Sequence, residues 1–148
     1  MHLRKSEIKE LNEKINGLYK KENLLDKKDN IEKRDNLLLI NGKRLFFFKD
    51  ETPIPTLHFI LENGDFLKKI TVDKGAVKFV CNGADIMRPG IKNIDENIQK
   101  DEFVSIIEET YGKPLAVGIA LFDGKEIKSM TTGRAVKTLH YIGDEIWR

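Results

Sequence analysis

The sequence predicts an α+β chain of two small domains, a mixed unit over residues 1–70 and a strand-rich unit over 71–148 that suggests a small barrel. Three observations carry that reading. Apolar residues recur at helical spacing between Ser6 and Tyr19. An Asn41-Gly42 turn separates two apolar runs. From Val72 onward, short β-rich runs alternate with glycine and proline turn signals. A chain of 148 residues has room for one ordinary domain or two small ones.

Taken in order, Ile8, Leu11, Ile15, Leu18 and Tyr19 share one helical stripe, and Glu10 with Lys14 is a favourable i,i+4 pair. Lys20 to Arg34 is mostly charged and reads as a solvated face or linker, with a nucleic-acid contact as the alternative. Leu37–Ile40 and Leu45–Phe48 form the hairpin, since both turn positions demand positive φ and Asn-Gly accepts it. Phe46, Phe47 and Phe48 read as a strand buried on both faces; stacking on bases is the competing reading. Pro55 is expected to open the next helix, where its missing N–H is harmless, with Leu57, Ile60 and Leu61 facing inward. Phe66 to Thr71 is expected to connect the two domains. Glu102–Glu108, Leu115–Phe122 and Ala135–Ile142 read as strands, and Gly124–Met130 favours helix. Gly118, inside a strand, suggests a bulge or a close backbone approach.

Charged residues make up 34% and hydrophobic residues 40%, the balance of a folded soluble protein. No apolar run nears the ~20 residues that span a bilayer. The first residues lack the apolar core of a signal peptide, so the expected location is the cytoplasm, with no membrane partner. The single cysteine excludes an internal disulfide and a multi-cysteine zinc site. Net charge is +2, with residues 1–70 at +3 and residues 71–148 at −1. An RNA site therefore has to come from local clustering rather than bulk charge.

The most informative segment is Val72 to Ile91, V-D-K-G-A-V-K-F-V-C-N-G-A-D-I-M-R-P-G-I. Asp73 can cap a short helix, and Asn82-Gly83 can end it. Ala76, Val77, Phe79, Val80 and Cys81 spread over an apolar arc, while Lys74, Gly75 and Lys78 share the other side. Two ammonium groups beside a residue without a side chain admit a phosphate or sugar close to the backbone. Arg88-Pro89-Gly90 adds a further cation in a fixed turn, with Lys92 beyond it. No catalytic constellation accompanies this segment. His2, His58 and His140 are scattered, and no phosphate loop, nucleophile triad or metal-ligand spacing occurs. Asp73 reads as a cap rather than a nucleophile. No enzyme activity, cofactor or metal is implied.

This segment resembles the PUA domain, an RNA-binding module. The likeness continues through Gly112–Ala120 and through Gly133-Arg134-Ala135-Val136 to Leu139–Trp147. Asn41–Phe48, Pro55-Thr56-Leu57 and Val72–Ala76 are similar to the malignant T-cell amplified sequence family. That family has a small pre-PUA domain before a C-terminal PUA pseudo-β-barrel. The resemblance implies an RNA-facing groove made by Lys74, Gly75, Ala76, Lys78, Gly83, Ala84, Asp85, Arg88 and Gly90, flanked by His140 and Tyr141. It further implies a monomeric, non-catalytic translation protein that engages the acceptor end of tRNA or the small ribosomal subunit. An initiation-factor-like domain would be supplied by a protein partner in trans, or the chain would act alone. Two alternatives are an accessory RNA-binding subunit for an RNA-modifying enzyme, and a protein-interaction module using exposed aromatics among Phe46–Phe48.

Overall fold

The computed structural model describes residues 1–148. Its N-terminal half is a helix, α1 (Lys5–Tyr19), and a four-stranded antiparallel sheet. The strands are β1 (Ile31–Arg34), β2 (Leu37–Ile40), β3 (Lys43–Lys49) and β4 (Thr52–Pro55), in that spatial order. A short helix, α2 (Leu57–Glu62), follows. Ile8, Leu11 and Ile15 bury the inner stripe of α1. Asn41 and Gly42 take positive φ at the β2–β3 turn, as the hairpin requires. Phe46, Phe47 and Phe48 are all buried, so the core reading holds and the surface-aromatic alternative falls.

Several local expectations need correction. Ile31–Arg34 is a strand, not part of a linker; only Ile31 points into the core, so its edge position leaves the other side chains wet. The segment before it is tied down as well, because Asn12 exchanges two hydrogen bonds with the backbone of Leu25. Pro55 ends β4 instead of opening α2. Thr56 is the cap, its hydroxyl accepting the Phe59 N–H at 3.3 Å. Phe59 takes the inward place expected for Leu61, which is exposed. The expected connection, Phe66 to Thr71, runs into β5 (Lys69–Val72), an interior strand of the second sheet.

The C-terminal half adds α3 (Lys74–Val80), β6 (Ile86–Met87), a 3-10 turn (Arg88–Gly90), β7 (Ile91–Ile94), β8 (Phe103–Glu108), β9 (Pro114–Ala120), α4 (Gly124–Ser129) and β10 (Arg134–Tyr141). These strands form a six-stranded sheet in the order β6-β10-β9-β8-β5-β7. Its edge strands β6 and β7 are joined by the 3-10 turn alone, so the sheet curls almost into a closed barrel. Gly118 sits where any Cβ would lie 2.6 Å from Val136 Cγ1 and 2.7 Å from the Lys137 carbonyl oxygen. That close approach falls next to the β9–β10 register shift at Thr138–His140.

The two halves share apolar contacts. Val117 of β9 belongs to the N-terminal core, and Phe103, Leu139, Ile142, Ile146 and Trp147 pack against it. Burying side chains of this size is worth about 1.5–3 kcal/mol each. No helix is long and apolar enough to cross a membrane.

Candidate RNA-binding surface

Helix α3 begins where the sequence places it. The Asp73 carboxylate accepts the Ala76 N–H at 3.0 Å, and the Asp73 N–H donates to the Gly90 carbonyl at 2.9 Å. The 3-10 turn is thereby sewn to the start of the helix. A Cβ on Gly90 would lie 3.2 Å from the Ala76 Cβ, so glycine lets the two segments close up. At the far end Gly83 turns the chain with φ +86°, and a Cβ there would meet the Tyr141 ring at 2.8 Å.

Lys74, Gly75 and Lys78 are exposed, and neither lysine has an ion-pair partner. The Lys78 ammonium lies 5.2 Å from the centroid of the Phe79 ring. Phe79 departs from the expected apolar arc: it is 57% exposed. Phe79 lies on the outward face of α3 with Gly75 and Lys78, while Val80 is buried and Ala76, Val77 and Cys81 pack against the barrel core. An exposed aromatic beside the Lys78 ammonium, on a helix that also exposes Lys74, is suited to unpaired nucleotides, whose bases have π-faces and whose phosphates are anionic.

The other expected contacts divide differently. Ala84 and Asp85 fasten the start of β6 to β10. The Ala84 carbonyl accepts from the Thr138 hydroxyl, and the Asp85 carboxylate accepts from the Thr138 N–H and from Arg134. Arg88 does not join the lysines. Its Nε donates to the Ile127 carbonyl at 2.7 Å, and its Nη atoms donate to the carbonyls of Ile91 and Lys128 at 3.2 Å. It caps the C-terminal carbonyls of α4, a role invisible before the fold brings α4 beside the turn. Lys92 is exposed on β7. With Arg88 held by carbonyls of Ile127, Ile91 and Lys128 and both lysines exposed on α3, the basic feature is an exposed helix face rather than a three-cation cradle.

His140 requires the clearest correction. It is fully buried and cannot flank a ligand. The Leu57 N–H donates to its Nε2 at 3.0 Å, which places the ring proton on Nδ1, 2.8 Å from the Asp144 carboxylate. Asp144 also accepts the N–H groups of Tyr141 and Trp147. Trp147 stacks on His58 with centroids 4.4 Å apart, and His58 Nε2 donates to its carbonyl at 2.9 Å. The histidines therefore clasp α2 to the C-terminal tail. Burial pushes the His140 pKa down, opposed by Asp144 and assisted by His58. Tyr141 remains half-buried against Gly83 at the rim of the site.

Residues 68–142 match the PUA domain model. The chain belongs to the PUA-domain family. A protein of Methanocaldococcus jannaschii is 38% identical over 98% of this chain and 93% of its own length. Translation machinery-associated protein 20 of Schizosaccharomyces pombe is 34% identical, covering 79% of this chain and 67% of its own. Malignant T-cell-amplified sequence 1 of Danio rerio is 34% identical, covering 75% and 64%. A PUA domain crystal structure from Aeropyrum pernix superposes with a TM-score of 0.86, at 26% identity over 99% of this chain and 88% of that one. An H/ACA ribonucleoprotein bound to a substrate RNA gives a TM-score of 0.53, at 25% identity over 66% of this chain and 29% of that one. The expected α+β architecture with a PUA pseudo-barrel is thus the observed one, and the family points to an RNA-binding, translation-related role. Within the PUA unit, sequence reading missed the exposure of Phe79 and of Tyr111, and it missed the clasp made by His140, Asp144 and Trp147.

Proposed function

We propose that this chain is a non-catalytic RNA-binding protein of the translation apparatus that engages the acceptor end of tRNA, the small ribosomal subunit, or both. The observation that carries the reading is the exposed face of α3. Lys74 and Lys78 are exposed and free of ion pairs, and Lys78 lies beside an exposed Phe79, within the segment that matches the PUA model. An unpaired 3′ end offers both phosphates for the ammonium groups and accessible bases for the ring. Relatives named for the translation machinery favour this setting over delivery of substrate to a modifying enzyme. Residues 1–70 then act as a pre-PUA domain that braces the barrel and is available to an initiation-factor-like partner. The test is binding of tRNA with an intact 3′ end against the same tRNA trimmed of its unpaired terminal nucleotides. Tighter binding of the intact molecule supports the acceptor-end reading; equal binding removes it. Co-purification with a modifying enzyme, instead of with small subunits, would favour the accessory role.

A further inference from the structure

We propose that Tyr111, at the tip of the β8–β9 hairpin, is a base-stacking residue that extends this RNA surface to a second nucleotide. The inference rests on the RNA-binding reading and adds a contact outside α3. Tyr111 is 90% exposed, more than any other large hydrophobic side chain. Such a ring gains nothing from packing, yet it is held on a stiff support. The Glu108 carboxylate accepts the N–H groups of Thr110, Tyr111 and Lys113 at 2.8, 2.6 and 3.0 Å. The Gly112 N–H donates to the Glu108 carbonyl, and the Glu108 N–H donates to that of Lys113. Those carboxylate bonds, led by the one from Lys113, hold the Glu108 pKa below its ordinary value. A pre-organised tip loses little chain entropy when its ring meets a ligand.

Strand register puts the tip beside the basic helix. In the parallel β5–β8 pair Val72 lies opposite Glu108, so the tip starts level with Asp73 and Lys74. On the other side Ala116 lies opposite Tyr141, and the Ile142 N–H bonds to the Leu115 carbonyl. The tip therefore stands between the start of α3 and the end of β10, on the rim that carries Lys74, Gly75 and Tyr141. Lys113 is exposed in the tip without an ion pair. Of the nearby carboxylates, those of Asp73, Glu108 and Asp144 are engaged by backbone N–H groups, and that of Glu109 has one oxygen buried without a partner. An aromatic face with a free ammonium two residues away matches one unpaired ribonucleotide, base on the ring and phosphate on the lysine. The preference is for single strands and is tolerant of base identity, since every base presents a π-face.

The test is the affinity of a fluorescein-labelled single-stranded RNA with the sequence of the tRNA acceptor 3′ strand, over a salt series, for the wild type, Tyr111→Phe, Tyr111→Ala and Lys74→Gln/Lys78→Gln. Tyr111→Ala is expected to weaken binding about 5- to 150-fold with an unchanged salt slope and melting temperature. Tyr111→Phe is expected to bind like the wild type. If Tyr111→Ala binds as tightly as the wild type while the lysine variant binds more weakly, the stacking role is overturned and the RNA surface stands. Equal losses in Tyr111→Phe and Tyr111→Ala overturn stacking in favour of the hydroxyl. Failure of the wild type to bind the strand removes both readings.

Discussion

Replacing Arg88 by Met separates a structural cation from an RNA-binding one. Met keeps much of the aliphatic stem and deletes the guanidinium. Three hydrogen bonds are lost, to the carbonyls of Ile127, Ile91 and Lys128. A charged donor contributes about 1.5–3 kcal/mol per bond when well buried. The Nε bond at 2.7 Å is short and partly buried, whereas the two at 3.2 Å are longer and one is exposed to water. The full value therefore applies to one bond, and water replaces part of the others. The expected loss is about 2–4 kcal/mol. With an m-value of roughly 2 kcal/mol per molar urea, the unfolding midpoint falls by about 1–2 M. Circular dichroism with Trp147 fluorescence follows the transition. At low temperature, where the variant stays folded, its RNA salt slope should equal that of the wild type. A variant as stable as the wild type whose slope drops by about 0.7 would show that Arg88 holds a phosphate, and the capping assignment would be wrong.

His140 supplies a pH prediction. Its folded pKa is lowered, so on acidification the unfolded chain takes up a proton near pH ~6.5 before the folded chain does. Stability should therefore be full above that pH and decline as pH falls from 6.5 towards the lower folded value, with a limiting slope of about 1.4 kcal/mol per unit. In His140→Gln the amide can accept from Leu57 N–H and donate to Asp144, so this component should vanish; urea titrations at pH values from 7.5 to 5 that show the same decline in both proteins would refute it. His140→Leu leaves the buried Leu57 N–H without an acceptor and deprives the Asp144 carboxylate of its ring N–H donor, and should cost about 2–5 kcal/mol by denaturant unfolding at pH 7.5. Gly118→Ala pushes a methyl group against Val136 and the Lys137 carbonyl and should lower stability by about 2–3 kcal/mol. A calorimetric melting temperature within a degree of the wild type would rule out that close approach.

Local signals were legible where a few neighbouring residues determine the outcome. Asn41-Gly42 specified a hairpin because its two backbone angles suit nothing else so well, and Asp73 specified a helix start through a bond to a residue three positions on. Gly118 advertised a close approach because a strand interior otherwise favours a side chain. What escaped depends on distant partners. The alternation of β10 tells which face His140 occupies, but not that α2, 83 residues away in sequence, covers that face. Arg88 looked like a free cation until α4, some 40 positions downstream, brought carbonyls to its guanidinium. Phe79 has the composition of a core residue, and only the face by which α3 packs, with Ala76, Val77 and Val80 inward, leaves it in water. Strand β1 carries one inward residue, Ile31, among polar neighbours, which is too weak a pattern to separate from a charged linker. The candidate site was thus legible as a basic helix bounded by two glycine turns. Its aromatic contributors, and the structural duties of Asp85, Arg88 and His140, were not.

The salt dependence of tRNA binding by Lys74→Gln/Lys78→Gln tests the α3 surface most directly. Both side chains are exposed and unpaired, so the double variant should melt within a degree or two of the wild type. Binding should weaken, and the slope of log K against log salt should shrink by about 1.4, two single-strand phosphate contacts at ~0.7 each. A folded double variant with the affinity and slope of the wild type would mean that the RNA, if bound at all, lies elsewhere on the protein.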